Sequence, residues 1–342
     1  MYKIKQLPED FIVKEKLDLK LSENGTYNYY LLKKKGYSTF DAIELIAKKL
    51  RIMPKFINAA GLKDRQAVTE QTISISKGVK RNYDFTYKKG DENRYVKLEF
   101  LGRGDERINI GTLDGNYFDL VIRNLSQEDV SKIPAASSGK RMLVPNYFDT
   151  QRFGRDSDNH LIGRMLVKKR FKEAAEALAA KDAWGISEFL TKSPGNFIGA
   201  LRSQPRRILK FYVVAYQSYL WNSCVRKYIE TMGDPVHNDD TFPMLGFDTE
   251  EDNDKKKEII DEVCKKESIN ARDLIIRQMP ELTLESQDRA VFAEAEELLF
   301  SAPEDDELNS GMKKIKASFY LKKGSYATNV IKELFGGARP LL

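Results

Sequence analysis

The chain has 342 residues, 41% hydrophobic and 32% charged, with a formal net charge of +6, which makes room for about two domains with cores of their own. No apolar run approaches the ~20 residues needed to cross a bilayer, and Met1–Asp10 lacks an apolar signal core, which predicts a cytoplasmic protein. Two cysteines (Cys224, Cys264) and two histidines (His160, His237) are scattered without ligand spacing, which predicts no metal site and no disulfide and leaves little for a serine or cysteine triad.

Phe11–Glu15 and Tyr27–Leu32 are rich in aromatic and β-branched residues and predict strands. Ser38 with Asp41 three residues on forms a capping-box pattern opening a helix, whose buried stripe is Ile43, Ile46, Ala47 and Leu50 and which Pro54 closes off. A small-residue turn, Ala60-Gly61-Leu62-Lys63-Asp64-Arg65, precedes a strand-like run at 72–76. It sets one carboxylate, Asp64, between two cations, and opposite charges within reach favour the ionised form of a carboxylate. Such a group can act as a nucleophile without a histidine. Further strands are predicted at Tyr95–Phe100 and Asn116–Asn124. From Ile162 the texture becomes helical, with helices predicted over Gly163–Lys181, Arg207–Tyr228 and Ala290–Leu299 and a charged loop over 248–257. Strand character returns at Ile315–Leu321, and Ser325 caps a last helix, Tyr326–Phe335, that stops at Gly336-Gly337. A β-rich start, a helical middle and a strand-helix end predict an α+β architecture with an inserted domain.

Basic groups crowd the first two thirds: Lys33-Lys34-Lys35, Lys77 with Lys80 and Arg81, Lys88-Lys89, Arg103 with Arg107, Lys168-Lys169-Arg170, and Arg206-Arg207 with Lys210. Acidic groups collect at Glu250-Glu251-Asp252 and 304–307. This asymmetry suits a polyanionic partner on one face. Gly102-Arg103-Gly104 opens like a dinucleotide loop but has arginine at its sixth position and no following helix, and Lys323-Gly324-Ser325 lacks the earlier glycine of a P-loop. The chemistry is therefore expected from side chains alone, without a cofactor.

Six segments, in order along the chain, resemble the TruD family of pseudouridine synthases. They are Lys5-Gln6-Leu7-Pro8-Glu9-Asp10-Phe11-Ile12-Val13-Lys14-Glu15; the Asp64 turn; Gly115-Asn116-Tyr117-Phe118; Val144–Gly154 with Asn159 and Ile162-Gly163; Ala215–Asn222; and Phe319–Thr328. The resemblance implies a catalytic domain with a mixed, largely antiparallel sheet flanked by helices (1–154 and 306–342), an inserted, mainly helical domain (155–305), and RNA lying in the cleft between them. It implies isomerisation of uridine to pseudouridine in tRNA, most plausibly at uridine-13 of the D arm. The N1–C1′ bond breaks, the base turns, and C5 joins C1′.

By the same resemblance Asp64 is the catalytic aspartate, with attack at C6 of the base or at C1′ of the sugar both open. Lys5 pairs with it, Asn116 hydrogen-bonds near it, and Phe118 stacks on the target uracil or packs in the core. Lys63, Arg65, Gln151, Arg152 and Lys323 are expected to contact RNA, and Tyr147, Phe148, Phe153, Tyr216 and Trp221 to be packing residues. Asp149 stands where many relatives have glycine, so a left-handed backbone there would carry a cost. A monomer is expected. The competing reading is a non-catalytic RNA-binding or RNA-chaperone protein; a methyltransferase would need a Gly-rich cofactor loop that the sequence lacks.

Overall fold

The computed structural model describes residues 2–76, 80–89, 92–133, 140–154, 156–181, 185–232 and 239–337; Lys77 and His237 lie outside them. The chain separates into two compact units, residues 1–142 with 294–327 and residues 143–293 with 328–342. These limits differ from the expected boundaries at 154/155 and 305/306, because the segment around Asp149 and the terminal helix lie together in the second unit.

The strands are β1 Phe11–Lys16, β2 Tyr27–Lys35, β3 Ile57–Ala59, β4 Val68–Ile75, β5 Tyr83–Lys89, β6 Glu92–Gly104, β7 Gly115–Leu125, β8 Lys140–Pro145, β9 Thr241–Met244, β10 Gln287–Ala290, β11 Phe292–Phe300, β12 Glu304–Asp305 and β13 Lys313–Lys322. The main sheet runs β5-β6-β2-β4-β1-β7-β13-β11-β8, with β3 added on β4 and β12 on β13. The β1–β4 pair is parallel, while β1–β7, β7–β13, β2–β4 and β2–β6 are antiparallel. A mixed, largely antiparallel sheet is what the resemblance implies.

Side chains opposite one another across a ladder share a face. Phe11, Val13 and Glu15 thus align with Leu120, Phe118 and Asn116, and Lys34, Leu32 and Tyr30 with Thr69, Gln71 and Ile73. Helix α1 (Thr39–Leu50) opens with the predicted Ser38–Asp41 capping box and packs Ala42, Ile46 and Ala47 on Tyr30, Leu32, Ile73, Ile75, Val96 and Leu98. Each such large apolar side chain contributes roughly 1.5–3 kcal/mol on burial. The helix stops at Arg51, in the left-handed conformation (φ 55°), before Pro54 is reached. A short helix α2 (Gln127–Lys132) follows β7.

Gly115 begins β7 where a Cβ would lie 2.3 Å from the Leu321 carbonyl oxygen, a backbone atom that cannot swing aside. Gly115→Ala is therefore expected to cost about 1–3 kcal/mol of stability, seen as a lowered denaturation midpoint without a change in slope.

The second unit is built on helices α3 Thr150–Phe153, α4 Asn159–Val167, α5 Phe171–Ala180, α6 Ile186–Lys192, α7 Phe197–Arg202, α8 Arg206–Met232, α9 Asp254–Glu267 and α10 Ala327–Leu334. The single helix expected over 163–181 is two, α4 and α5, broken where Lys169 takes φ 59°. Gly163 lets α4 close on α8, since a Cβ there would sit 2.0 Å from the Tyr212 carbonyl oxygen. Of the expected loop 248–257, the last four residues are helical, because Asn253 caps α9 by accepting from the Lys256 N–H.

The helix expected over 290–299 is strand β11. Val291, Ala295, Leu298 and Leu299 recur at helical spacing, but the cause is an extra residue in a strand. Glu297 takes φ 56°, and the register with β13 shifts between Glu296 and Leu299. A bulge of this kind changes the inside–outside parity partway along a strand.

Candidate active site

Four main-chain atoms of the turn before β4 are held by side chains from the sheet face and α1. Gln71 donates to the Gly61 carbonyl at 3.0 Å, and Thr39, which donates to Gln71, accepts the Lys63 N–H at 2.9 Å. Lys34 donates to the carbonyls of Lys63 and Asp64. The Lys63 ammonium turns inward, 3.1 Å from Glu15 and 2.5 Å from Asn116 Oδ1. The Asp64 carboxylate remains about one third exposed and pairs with the Lys5 ammonium at 2.7 Å.

Lys5 is no tail residue. It takes φ 60°, and its Nζ lies 4.0 Å from the Phe11 ring centroid. The segment that carries it is bridged to β7 by paired Lys3–Arg123 main-chain hydrogen bonds. Phe11 meets Phe118 edge-on at 6.1 Å, and Phe118 stacks on Phe319 at 5.6 Å. With 7% of its surface exposed, Phe118 packs behind Phe11 and against Phe319.

Glu15 is buried and accepts the Thr72 N–H. Burial pushes its carboxyl above the usual range, while the Lys63 charge and these hydrogen bonds pull the other way.

Lys5, fifty-nine positions away in the chain, is in salt-bridge contact with Asp64, the pairing that the resemblance implies. Lys63, expected to contact RNA, is instead enclosed against Glu15, and Arg65 donates to the Gly36 carbonyl at 3.2 Å. Asn116 accepts from Lys63 rather than standing directly at the carboxylate. Lys323 holds the loop before β7, donating to the Gly111 carbonyl at 2.8 Å. The basic run at 33–35 is no continuous patch either: Lys33 pairs with Glu99, Lys35 with Glu9, and Lys34 is interior.

Gln151 and Arg152 belong to the second unit. Gln151 is exposed; Arg152 lies 5.1 Å from the Phe148 ring centroid, with Arg289 4.1 Å from the same ring. Tyr147, Phe148, Phe153, Tyr216 and Trp221 are buried, as the sequence predicts. Asn222 pins the Phe148 main chain through both its N–H and its carbonyl. Asp149 takes φ −110° and caps α3, so the expected backbone cost does not arise. Its carboxylate accepts from Thr328 and Lys332, tying α10 to this segment.

Sequence reasoning missed Lys34, Thr39 and Gln71. The signal was available for two of them, since Lys34 shares strand parity with the core residues Tyr30 and Leu32, and Gln71 with Ile73 and Ile75. Among the described residues no group of three or more His, Cys, Asp and Glu side chains is arranged to hold a metal ion, and no helix is long and apolar enough to cross a membrane.

Known proteins resemble this chain over nearly its whole length. A family model described as tRNA pseudouridine synthase D (TruD) matches residues 2–189, 186–242 and 240–334. The chain is 32% identical to the probable tRNA pseudouridine synthase D 2 of Methanocaldococcus jannaschii, covering 98% of this chain and 92% of that protein. It is 30% identical to the tRNA pseudouridine synthase D of Aquifex aeolicus, covering 97% and 98%. The crystal structure of the putative tRNA pseudouridine synthase D from Methanosarcina mazei superposes with a TM-score of 0.71 at 25% identity, covering 99% of this chain and 94% of that one. Matched from its first motif to its last, the chain belongs to the tRNA pseudouridine synthase D (TruD) family.

Proposed function

We propose that this protein isomerises uridine to pseudouridine in tRNA, at uridine-13 of the D arm, with Asp64 as the nucleophile. The observation that carries the reading is the Lys5–Asp64 pair at 2.7 Å on a turn pinned by side chains at four main-chain atoms. A carboxylate that is partly exposed, oriented by one ammonium and rigidly mounted is a preorganised nucleophile. The reaction has no net proton or redox change, so side chains suffice for it. A non-catalytic RNA chaperone has no use for so constrained an acidic group, which would repel phosphate. We assign the chemistry to the unit 1–142 with 294–327, and recognition of the RNA to the insertion-bearing remainder. The enzyme acts as a cytoplasmic monomer.

The test is tritium release from C5-tritiated uridine in unmodified tRNA, with a companion transcript carrying cytidine at position 13. Release from the first and none from the second supports reaction and site. Equal release from both relocates the target, and no release from any tRNA sinks the isomerase reading.

Lys5→Met should leave the fold intact and lower kcat about tenfold to a hundredfold, the worth of one charge-assisted hydrogen bond of roughly 1.5–3 kcal/mol. Single-turnover kinetics with a parallel melting curve checks both halves of that statement.

A further inference from the structure

Lys34 sits on the core face of β2, with its side chain wholly enclosed. Its Nζ donates to three main-chain carbonyls: Tyr37 at 2.8 Å, Asp64 at 2.9 Å and Lys63 at 3.2 Å. An ammonium has three N–H donors and no acceptor, so three carbonyls use it fully. Two of the three belong to the nucleophile and the residue before it. The third opens the turn into α1, the helix whose Thr39 holds the Lys63 N–H.

Enclosing an ammonium among neutral dipoles is costly, and an apolar side chain of similar volume is often the more stable choice at such a position. A position selected for stability alone would not favour lysine.

We propose that Lys34 is a positioning residue for the pseudouridine-forming reaction. Its ammonium gathers the carbonyls of Lys63 and Asp64 to one point and so sets the direction in which the Asp64 carboxylate meets the substrate. This rests on the reading of Asp64 given above.

The groups facing Lys34 are Asp64 and Lys63 from the turn, Asp41 from α1, and the uncharged Thr69 and Val96 across the neighbouring strands. Arg65 is anchored one residue from Tyr37, on the Gly36 carbonyl. Burial pushes the Lys34 ammonium down to about 8, against the pull of Asp64 and Asp41 and with the help of Lys63. Above that pH the neutral amine has two donors for three carbonyls and turns a lone pair toward the third. The turn then loosens and kcat falls. Stability moves the other way. The native value of about 8 lies below the ordinary 10.5, so between them the unfolded chain binds more protons, and the contribution of Lys34 to stability rises with pH.

The experiment measures kcat and KM by tritium release from tRNA between about pH 6.5 and 9.5, with melting curves, for the wild type, Lys34→Met, Lys34→Arg and Asp64→Asn. Lys34→Met is expected to lower kcat on the order of 10²-fold, as a small misplacement of a reacting group does, with KM nearly unchanged and no limb near pH 8. Lys34→Arg recovers part of kcat and also lacks the limb, because a guanidinium stays charged. The uracil imide titrates in the alkaline range too, but identically in all variants.

A folded Lys34→Met with wild-type kcat, or the same limb in wild type and Lys34→Arg, overturns the proposal. If Lys34→Met does not fold, the wild type and Lys34→Arg decide: a limb near pH 8 in the wild type alone, with no loss of melting temperature, supports it. An active Asp64→Asn overturns both readings, whereas an inactive one beside a fully active Lys34→Met overturns this one alone.

Discussion

Asp64→Asn is expected to release no measurable tritium from C5-tritiated tRNA, a loss of ~10⁴-fold or more in kcat, while binding the same tRNA within about twofold of the wild-type affinity. The amide has the size of the carboxylate but cannot form the covalent bond that a carboxylate oxygen forms. The main-chain bonds that hold the turn do not use that charge. The Gly61, Lys63 and Asp64 carbonyls and the Lys63 N–H are bound as main-chain atoms, and the Lys5 ammonium retains an oxygen to donate to. Stability should therefore move by no more than about 1 kcal/mol, the range of a partly exposed ion pair. Filter binding and a melting curve on the same preparation separate lost chemistry from lost structure. A variant that keeps full activity removes Asp64 from the mechanism.

Arg123→Met is expected to cause the largest loss of stability in the first unit, about 3–5 kcal/mol, as breaking a buried ion pair from one side does. Arg123 is buried on β7. Its guanidinium meets Asp10 and Asp306 at 2.9 Å, both enclosed, and Glu307 at 3.0 Å. Removing the cation strands two buried carboxylates without their counter-charge, and apolar contact from methionine does not compensate them. Against a typical total of 5–15 kcal/mol, such a loss is visible directly in a urea titration.

The same cluster gives an acid dependence. Burial alone would raise the Asp306 carboxyl, but hydrogen bonds from the Asn124 N–H, Asn309, the Leu308 N–H and Arg123 outweigh it and hold the group down to about 2. A depressed carboxyl stabilises the fold above its ordinary value of 3.8, and the contribution is lost as pH falls from there through about 2. Arg123→Met should remove only part of that pH dependence, because the bonds from the Asn124 N–H, Asn309 and the Leu308 N–H remain. The cluster also borders the site, because the Arg123 main chain registers the segment that presents Lys5. A mutation here should lower kcat as well as the midpoint.

The strands of the main sheet were legible where local pattern and tertiary burial agree. Phe11–Glu15, Tyr27–Leu32, Asn116–Asn124 and Ile315–Leu321 all lie within strands of the structure, and Ser38 caps α1 with the predicted box. The failures have local physical causes. At 290–299 a single bulged residue, Glu297, breaks the two-residue period and leaves apolar positions at helical spacing. At 168–170 a left-handed Lys169 splits one predicted helix into α4 and α5, and no glycine or proline announces it. Asp149 was read as a turn residue, whereas it serves as a buried acceptor for α10.

Order along the chain was enough to point to the family and the α+β class and to single out Asp64 as the candidate acidic residue, because six motifs carry chemistry and turn geometry in side chains recognisable one at a time. It was not enough to say where the cations beside Asp64 in sequence point. Lys63 and Arg65 flank Asp64 in sequence, yet the turn sends Lys63 inward to Glu15 and Asn116, and the ammonium at Asp64 comes from Lys5. Lys34 looked like one member of a basic run until the pleat of β2 turned it into the interior. Pairing of charges is a three-dimensional property, fixed by which strands lie side by side and which face each residue presents. That is why Asp64 and Lys5 could be singled out from the sequence, and the buried contacts of Lys63 and Lys34 only from the fold.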